Sequence, residues 1–95
     1  MITAIVRFPL GKNLTLDAAK DLFEKSVPNY EAAPGLARKY YLFGEDGLGG
    51  GVYLWHSKAD AQKQYSQAWH DMIAQKFGSP PEILYYDTPV IVDNT

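Results

Sequence analysis

Leu36-Ala37-Arg38-Lys39-Tyr40-Tyr41-Leu42-Phe43-Gly44-Glu45-Asp46-Gly47-Leu48-Gly49-Gly50-Gly51-Val52-Tyr53-Leu54-Trp55-His56 is the stretch that decides the fold. Two runs of aromatic and branched residues flank a glycine-rich, acidic segment, which is the pattern of an antiparallel hairpin. Strand two runs through about Phe43, residues 44–49 form a connection longer than two residues, and strand three spans Gly50 to His56. Immediately before the hairpin, Ala33-Pro34-Gly35-Leu36 puts Pro and Gly where a type II turn needs them.

Helical spacing governs the flanks. Upstream, Leu16, Ala19, Phe23, Val27 and Tyr30 recur on one helical face, with Thr15 as N-cap and Asp17 in the first turn. Gly11-Lys12-Asn13 leads into this helix, and Pro28 is expected to kink or divide it. Downstream, Ser57-Lys58-Ala59-Asp60 reads as a capping box with Asp in place of Glu. The stripe Ala61, Tyr65, Ala68, Trp69, Met72, Phe77 predicts one helix ending at Gly78. At the N-terminus, Ile2 to Phe8 is a strand stopped by Pro9-Leu10-Gly11. Beyond Ser79-Pro80-Pro81 a fourth strand occupies roughly Glu82 to Asp87, followed by Thr88-Pro89 and the apolar tail Val90-Ile91-Val92.

The order is therefore β-α-β-β-α-β, an α+β ferredoxin-like fold with an antiparallel sheet of strand order 4-1-3-2. At 95 residues the chain makes a single domain, 1–95. Two helices cover one face of such a sheet, yet strands one and three are apolar on both faces. The uncovered face is expected to meet a second copy, giving a homodimer in which the tail contributes.

Composition narrows the chemistry. Nine basic and eleven acidic residues leave a net charge of −2, which argues against a phosphate-driven nucleic-acid binder. The longest apolar runs are too short to span a membrane, so a soluble cytoplasmic protein is the expectation. There is no cysteine, hence no thiolate site or disulfide, and His56 and His70 form no metal-ligand pattern. Neither a metal nor a cofactor is expected. Gly47, Gly49, Gly50 and Gly51 do not form a dinucleotide fingerprint, and they precede a strand rather than a helix. What the chain has in excess is aromatic: seven tyrosines, four phenylalanines and two tryptophans.

Alternation along the strands suggests where these rings go. With Ala4, Val6, Val52 and Leu54 toward the helices, the opposite face holds Thr3, Ile5, Arg7, Tyr53 and Trp55, looking into a cavity between two sheets. Arg7 there is a donor to an acidic or phenolic ligand, or else forms an ion pair between subunits with an acidic residue such as Asp87 or Glu82. Tyr53 and Trp55 either stack on a planar ligand or fill a dimer core. On strand two, Arg38-Lys39-Tyr40-Tyr41 puts one cation and one tyrosine on each face, so alternation does not resolve the facing; the reading leans to Arg38 and Tyr40 toward the cavity, with Tyr41 and Phe43 beneath the helices. Tyr65 and Trp69 are core residues or close one end of the cavity.

Strand one from Ile2 to Pro9, Ala33-Pro34-Gly35-Leu36, Arg38-Lys39-Tyr40-Tyr41, Gly50-Gly51-Val52-Tyr53-Leu54-Trp55 and Asp87-Thr88-Pro89-Val90 resemble the YdhR-type monooxygenase family. That family falls within the dimeric α+β barrel group that includes the antibiotic-biosynthesis monooxygenases, and the resemblance spans nearly the whole chain. It implies two subunits with facing sheets, a cavity in each subunit, and cofactor-free oxygenation of an electron-rich aromatic such as a quinol or anthrone. In that setting Arg7, Tyr40 and Trp55 are the catalytic candidates: Arg7 favours a phenolate, Tyr40 relays a proton, and Trp55 holds the ring. Ile5, Arg38, Tyr53, Tyr65 and Trp69 are the substrate-binding candidates. The wider group often carries a histidine on helix two where this sequence reads Gln64-Tyr65, so the general base is displaced or missing. A non-catalytic aromatic-binding protein and a muconolactone-type isomerase are the alternatives on the same fold.

Overall fold

A computed structural model of the chain describes residues 1–11 and 13–95; Lys12, in the lead-in to the first helix, lies outside the described residues. The elements are β1 (Ile2–Pro9), α1 (Leu16–Glu24), α2 (Val27–Glu31), β2 (Leu36–Phe43), β3 (Leu48–Trp55), α3 (Lys58–Gln64), α4 (Gln67–Phe77) and β4 (Glu82–Asp87). The strands form one four-stranded sheet in the order β2-β3-β1-β4, all neighbours antiparallel. This is the expected ferredoxin-like arrangement, with the two most apolar strands at its centre. No helix among the described residues is long and apolar enough to cross a membrane.

Local chemistry sets the helix boundaries. Thr15 Oγ1 accepts from the Ala18 amide and starts α1. Pro28 sits in the first turn of α2, where its missing N–H costs nothing, so the chain divides there rather than bending. Ser57 Oγ accepts from the Asp60 amide and donates to the Asp60 carboxylate, which completes the shortened capping box. Gly78 closes α4 at φ 84°, and Gly35 has φ 81° in the turn before β2, both conformations that favour glycine. One expectation fails: the second helical region is two helices. At Tyr65 the backbone leaves helical geometry (ψ 52°), and Ser66 restarts it by accepting from the Trp69 amide. The apolar stripe runs on through this break, because both Tyr65 and Trp69 are still buried against the sheet.

Registry decides which side chains share a face. Ala4 pairs with Tyr53, Val6 with Gly51 and Ile2 with Trp55, and directly opposed residues point the same way. Ala4 and Val6 are fully buried under the helices as expected, and Tyr53 and Trp55 are buried there with them at 2% and 0% exposure. The strand-three assignment is therefore corrected. Tyr53 and Trp55 face the helices, while Val52 and Leu54 share the open face with Ile5 and Thr3. Registry resolves strand two, which alternation left open: Lys39 and Tyr41 oppose Tyr53 and Gly51, whereas Arg38 and Tyr40 oppose Leu54 and Val52 on the open face. A register shift between Leu36 and Arg38 lets Leu36 join Trp55 on the helix side despite its numbering.

Candidate functional site: an aromatic cavity under the helices

With the aromatic strand face turned inward, the rings form one connected layer between sheet and helices. Phe23 stacks on Tyr41 (centroids 5.0 Å apart), Tyr30 meets Tyr53 edge-on (5.7 Å), Tyr53 packs on Tyr65 (5.4 Å), and Tyr65 on Trp69 (4.8 Å). Burying a ring system the size of Trp55 takes roughly 200 Å² out of water, worth on the order of 5 kcal/mol. The polar ends of these rings find partners inside the layer. Trp55 Nε1 donates to Tyr65 Oη (3.1 Å), Trp69 Nε1 donates to Tyr30 Oη (3.2 Å), and Tyr41 Oη shares a hydrogen bond with Ser26 Oγ (2.7 Å). Burial pushes the phenols of Tyr41, Tyr53 and Tyr65 above the ordinary tyrosine range, so they stay protonated.

This layer surrounds a cavity of about 60 Å³ walled by Phe8, Tyr30, Tyr53, Trp69 and Phe77, with Lys39 and Tyr41 entering from β2. Glycines in β3 leave the space for it. A Cβ on Gly51 would lie 3.0 Å from the Tyr53 ring and 3.1 Å from Lys39 Cε, and one on Gly49 would strike the Leu10 side chain. Gly50, at φ 141°, lies so close to β1 that a Cβ would come within 1.9 Å of the Val6 carbonyl oxygen. Of the glycines set aside as a phosphate loop, Gly49, Gly50 and Gly51 thus lie within β3, and Gly50 lines the cavity.

Lys39 is the residue the sequence reading passed over. Its Nζ sits 3.3 Å from the Tyr30 ring centroid, 3.8 Å from that of Tyr41 and 4.5 Å from that of Tyr53. No carboxylate pairs with it among the described residues. Burial lowers its amine to about 7, while the ring faces favour the charged form. Lys39, Tyr30 and Tyr41 also border a wider groove of about 550 Å³ between α2 and β2, so these three side chains line both groove and cavity.

The other expected site residues divide between the two faces. Tyr53 and Trp69 line the cavity; Trp55 and Tyr65 lie next to them and buttress Tyr53. Ile5, Arg7, Arg38 and Tyr40 are on the open face, away from these rings. Arg7 is half-exposed and pairs with Glu82 (3.2 Å) within the same chain, not across a subunit interface as the alternative reading had it. Arg38 donates to Tyr40 Oη (3.1 Å) and pairs with Asp93 of the tail (3.3 Å). The tail thus crosses its own sheet, held also by the Thr88 amide on the Met1 carbonyl and by the Thr3 and Thr88 hydroxyls. Apolar side chains stay uncovered there: Tyr40, Leu84 and Tyr86 on the sheet, and Val90, Ile91 and Val92 on the tail.

No protein-family model and no curated protein sequence matches the chain. Solved structures do match it in shape. NE2512, a protein of unknown function from Nitrosomonas europaea, superposes with a TM-score of 0.75 at 18% identity, covering 99% of this chain and 94% of that one. A monooxygenase from the gene ActVA-Orf6 of Streptomyces coelicolor, in complex with nanaomycin D, gives 0.72 at 16% identity over 99% of this chain and 92% of that one. A third, described as "Putative antibiotic biosynthesis monooxygenase from Nitrosomonas europaea", gives 0.60 at 19% identity, covering 95% of this chain and 100% of that one. At these identities the likeness establishes the fold alone, the ferredoxin-like α+β domain that these structures share.

Proposed function

We propose that the chain binds a small, electron-rich aromatic hydroxy compound of the quinol or anthrone kind in the helix-side cavity and oxygenates it without a cofactor. The observation that carries this reading is the wall of Tyr30, Tyr53 and Trp69 around a cleft that Lys39 enters from β2 and Lys76 from α4. Such a surface stacks on a planar ring and excludes water from it. The fold shared with the ActVA-Orf6 monooxygenase, whose structure is a complex with nanaomycin D, supports the same chemistry. Finer membership in the YdhR-type group is part of this proposal.

In the proposed reaction the substrate supplies the electrons. Loss of its hydroxyl proton makes the ring rich enough to reduce O₂. A C–O bond then forms at an activated ring methylene, the O–O bond breaks, and the methylene leaves as a carbonyl with one molecule of water. Arg7 and Tyr40 lie on the open face, as expected, and apart from this cavity, so the protein's share here is stacking, exclusion of water and stabilisation of the anion. A cavity of about 60 Å³ is smaller than the roughly 150 Å³ that holds a benzene. Entry of a ring therefore includes rearrangement of the side chains that line both the cavity and the adjoining groove.

The open face is proposed to pack against a second copy through Ile5, Tyr40, Leu84 and Tyr86. An oxygen-electrode assay with a panel of dihydroxynaphthalenes and anthrones tests the activity. Consumption of one O₂ per product supports it; stoichiometric binding without O₂ uptake, or anaerobic conversion of a lactone, replaces it with the binding or isomerase alternative.

A further inference from the structure

We propose that Lys39 is the proton acceptor and anion anchor of the cavity, so that an acidic hydroxyl on a conjugated ring binds there as its anion, paired with the Lys39 ammonium. This rests on the aromatic-cavity reading above and supplies the base that the sequence lacks at Gln64-Tyr65. Three features of the geometry support it. First, Lys39 lines both the open groove and the ring-walled cavity, so its amine is within reach of a ligand that occupies either. Second, no carboxylate holds it among the described residues, so the ammonium lacks a fixed counter-ion and a ligand anion can serve as one. Third, the faces of Tyr30, Tyr41 and Tyr53 lie within 4.5 Å of Nζ and favour the cation once it forms.

The step balances as a proton transfer. The ligand O–H bond breaks with its electron pair left on oxygen, and the proton forms an N–H bond at the Lys39 amine. No electron changes hands until O₂ arrives. Lowered by burial to about 7, that amine carries both forms near neutrality, as a general base at this pH requires. The titratable and charged groups around it are few. Tyr30 and Glu31 come from α2, Arg38 and Tyr41 from β2, Tyr53 from β3 and Lys76 from α4, while α1 contributes the apolar Leu22 and Phe23. Tyr41 and Tyr53 are pushed upward by burial and do not compete for the proton at neutral pH.

The test uses para-nitrophenol, whose anion has a distinct visible band, and para-nitroanisole, which has the same ring and no acidic proton. Below the free phenol's own pKa, the wild-type protein is expected to bind para-nitrophenol with appearance of the anion band, and roughly tenfold more tightly than para-nitroanisole. Lys39→Met and Lys39→Gln are expected to bind both probes about equally, with the phenol left neutral. Binding of both probes by the wild type without the anion band, or an unchanged band in the variants, overturns the role of Lys39 and leaves the cavity reading intact. Binding of neither probe by the wild type overturns the cavity reading and this inference together. Should a variant fail to fold, the wild-type preference between the two probes still decides the matter.

Discussion

Replacing Lys39 by methionine should change how stability depends on pH, in a direction that follows from its burial. The folded chain holds this amine at about 7, whereas the unfolded chain returns it to its ordinary value of 10.5. Between those values the unfolded state binds more protons than the folded one, so stability rises as pH rises. The cost of burying the ammonium is fully present below about 7 and fades as pH increases toward the unfolded value. From pH 7 to 9 linkage gives a gain of roughly 2 kcal/mol as an upper bound, since each pH unit contributes at most about 1.4 kcal/mol. Solvent at the mouth of the groove and the three ring faces reduce it. In a domain of this size a gain of that order raises Tm by ~10 °C. Above about 10 the trend reverses, because unfolded tyrosines ionise while Tyr53 and Tyr65 stay protonated. Lys39→Met keeps the stem over Gly51 and removes the charge. It should be at least as stable as wild type at pH 7 and lack the rise between 7 and 9. Urea titrations of both proteins at each pH provide the measurement, and their difference cancels groups common to both. Parallel curves would show that Lys39 is not held in a desolvated, unpaired state, and the reasoning would fail.

Other substitutions probe the parts that build the cavity. Tyr65→Phe leaves the buried Trp55 Nε1 without its acceptor and should cost about 1–3 kcal/mol in chemical denaturation; a loss below ~0.5 kcal/mol would mean the hydrogen bond does not form. Gly50→Ala forces a Cβ onto the Val6 carbonyl at a backbone conformation suited to glycine, and should destabilise by at least ~2 kcal/mol, read as a drop in the urea midpoint. Light scattering at micromolar concentration should give twice the 10.6 kDa chain mass, reduced toward a monomer by Leu84→Glu; a monomer for the wild type would remove the proposed pairing. Asp93→Asn should loosen the tail from Arg38 and speed amide exchange at Thr88. In the wild type Asp93 is held down to about 2, first by Thr95 and then by Arg38, so the clasp persists above the carboxylate range and is lost as pH falls through that value.

Topology was legible because several signals agreed: cap residues at Thr15 and Ser57, the Pro34-Gly35 turn, the glycine-rich hairpin and a change of period at each boundary. The facing of β3 was not legible, for a definite reason. Val52, Tyr53, Leu54 and Trp55 are all apolar, so alternation carries no polarity, and Gly49 to Gly51 have no side chains to report a face. Only the pairing of Ala4 with Tyr53 and of Lys39 with Tyr53 resolves it, and pairing is a tertiary fact. The same ambiguity hid Lys39, since Arg38 and Lys39 place one cation on each face. The run of small residues in β3 was the available clue, because a strand that gives up three side chains opposite large aromatics leaves space. The break at Tyr65 escaped notice because Ser66 has no acidic residue three positions on to mark it as a cap.

The central claim is the location of the ligand, and a crystal soaked with para-nitrophenol tests it most directly. The ring should lie between Tyr53 and Trp69 on the helix side, with its oxygen within hydrogen-bond distance of Lys39 Nζ. A ring seated on the open face beside Arg7 and Tyr40, or a helix-side cavity left empty at saturating ligand, would contradict it.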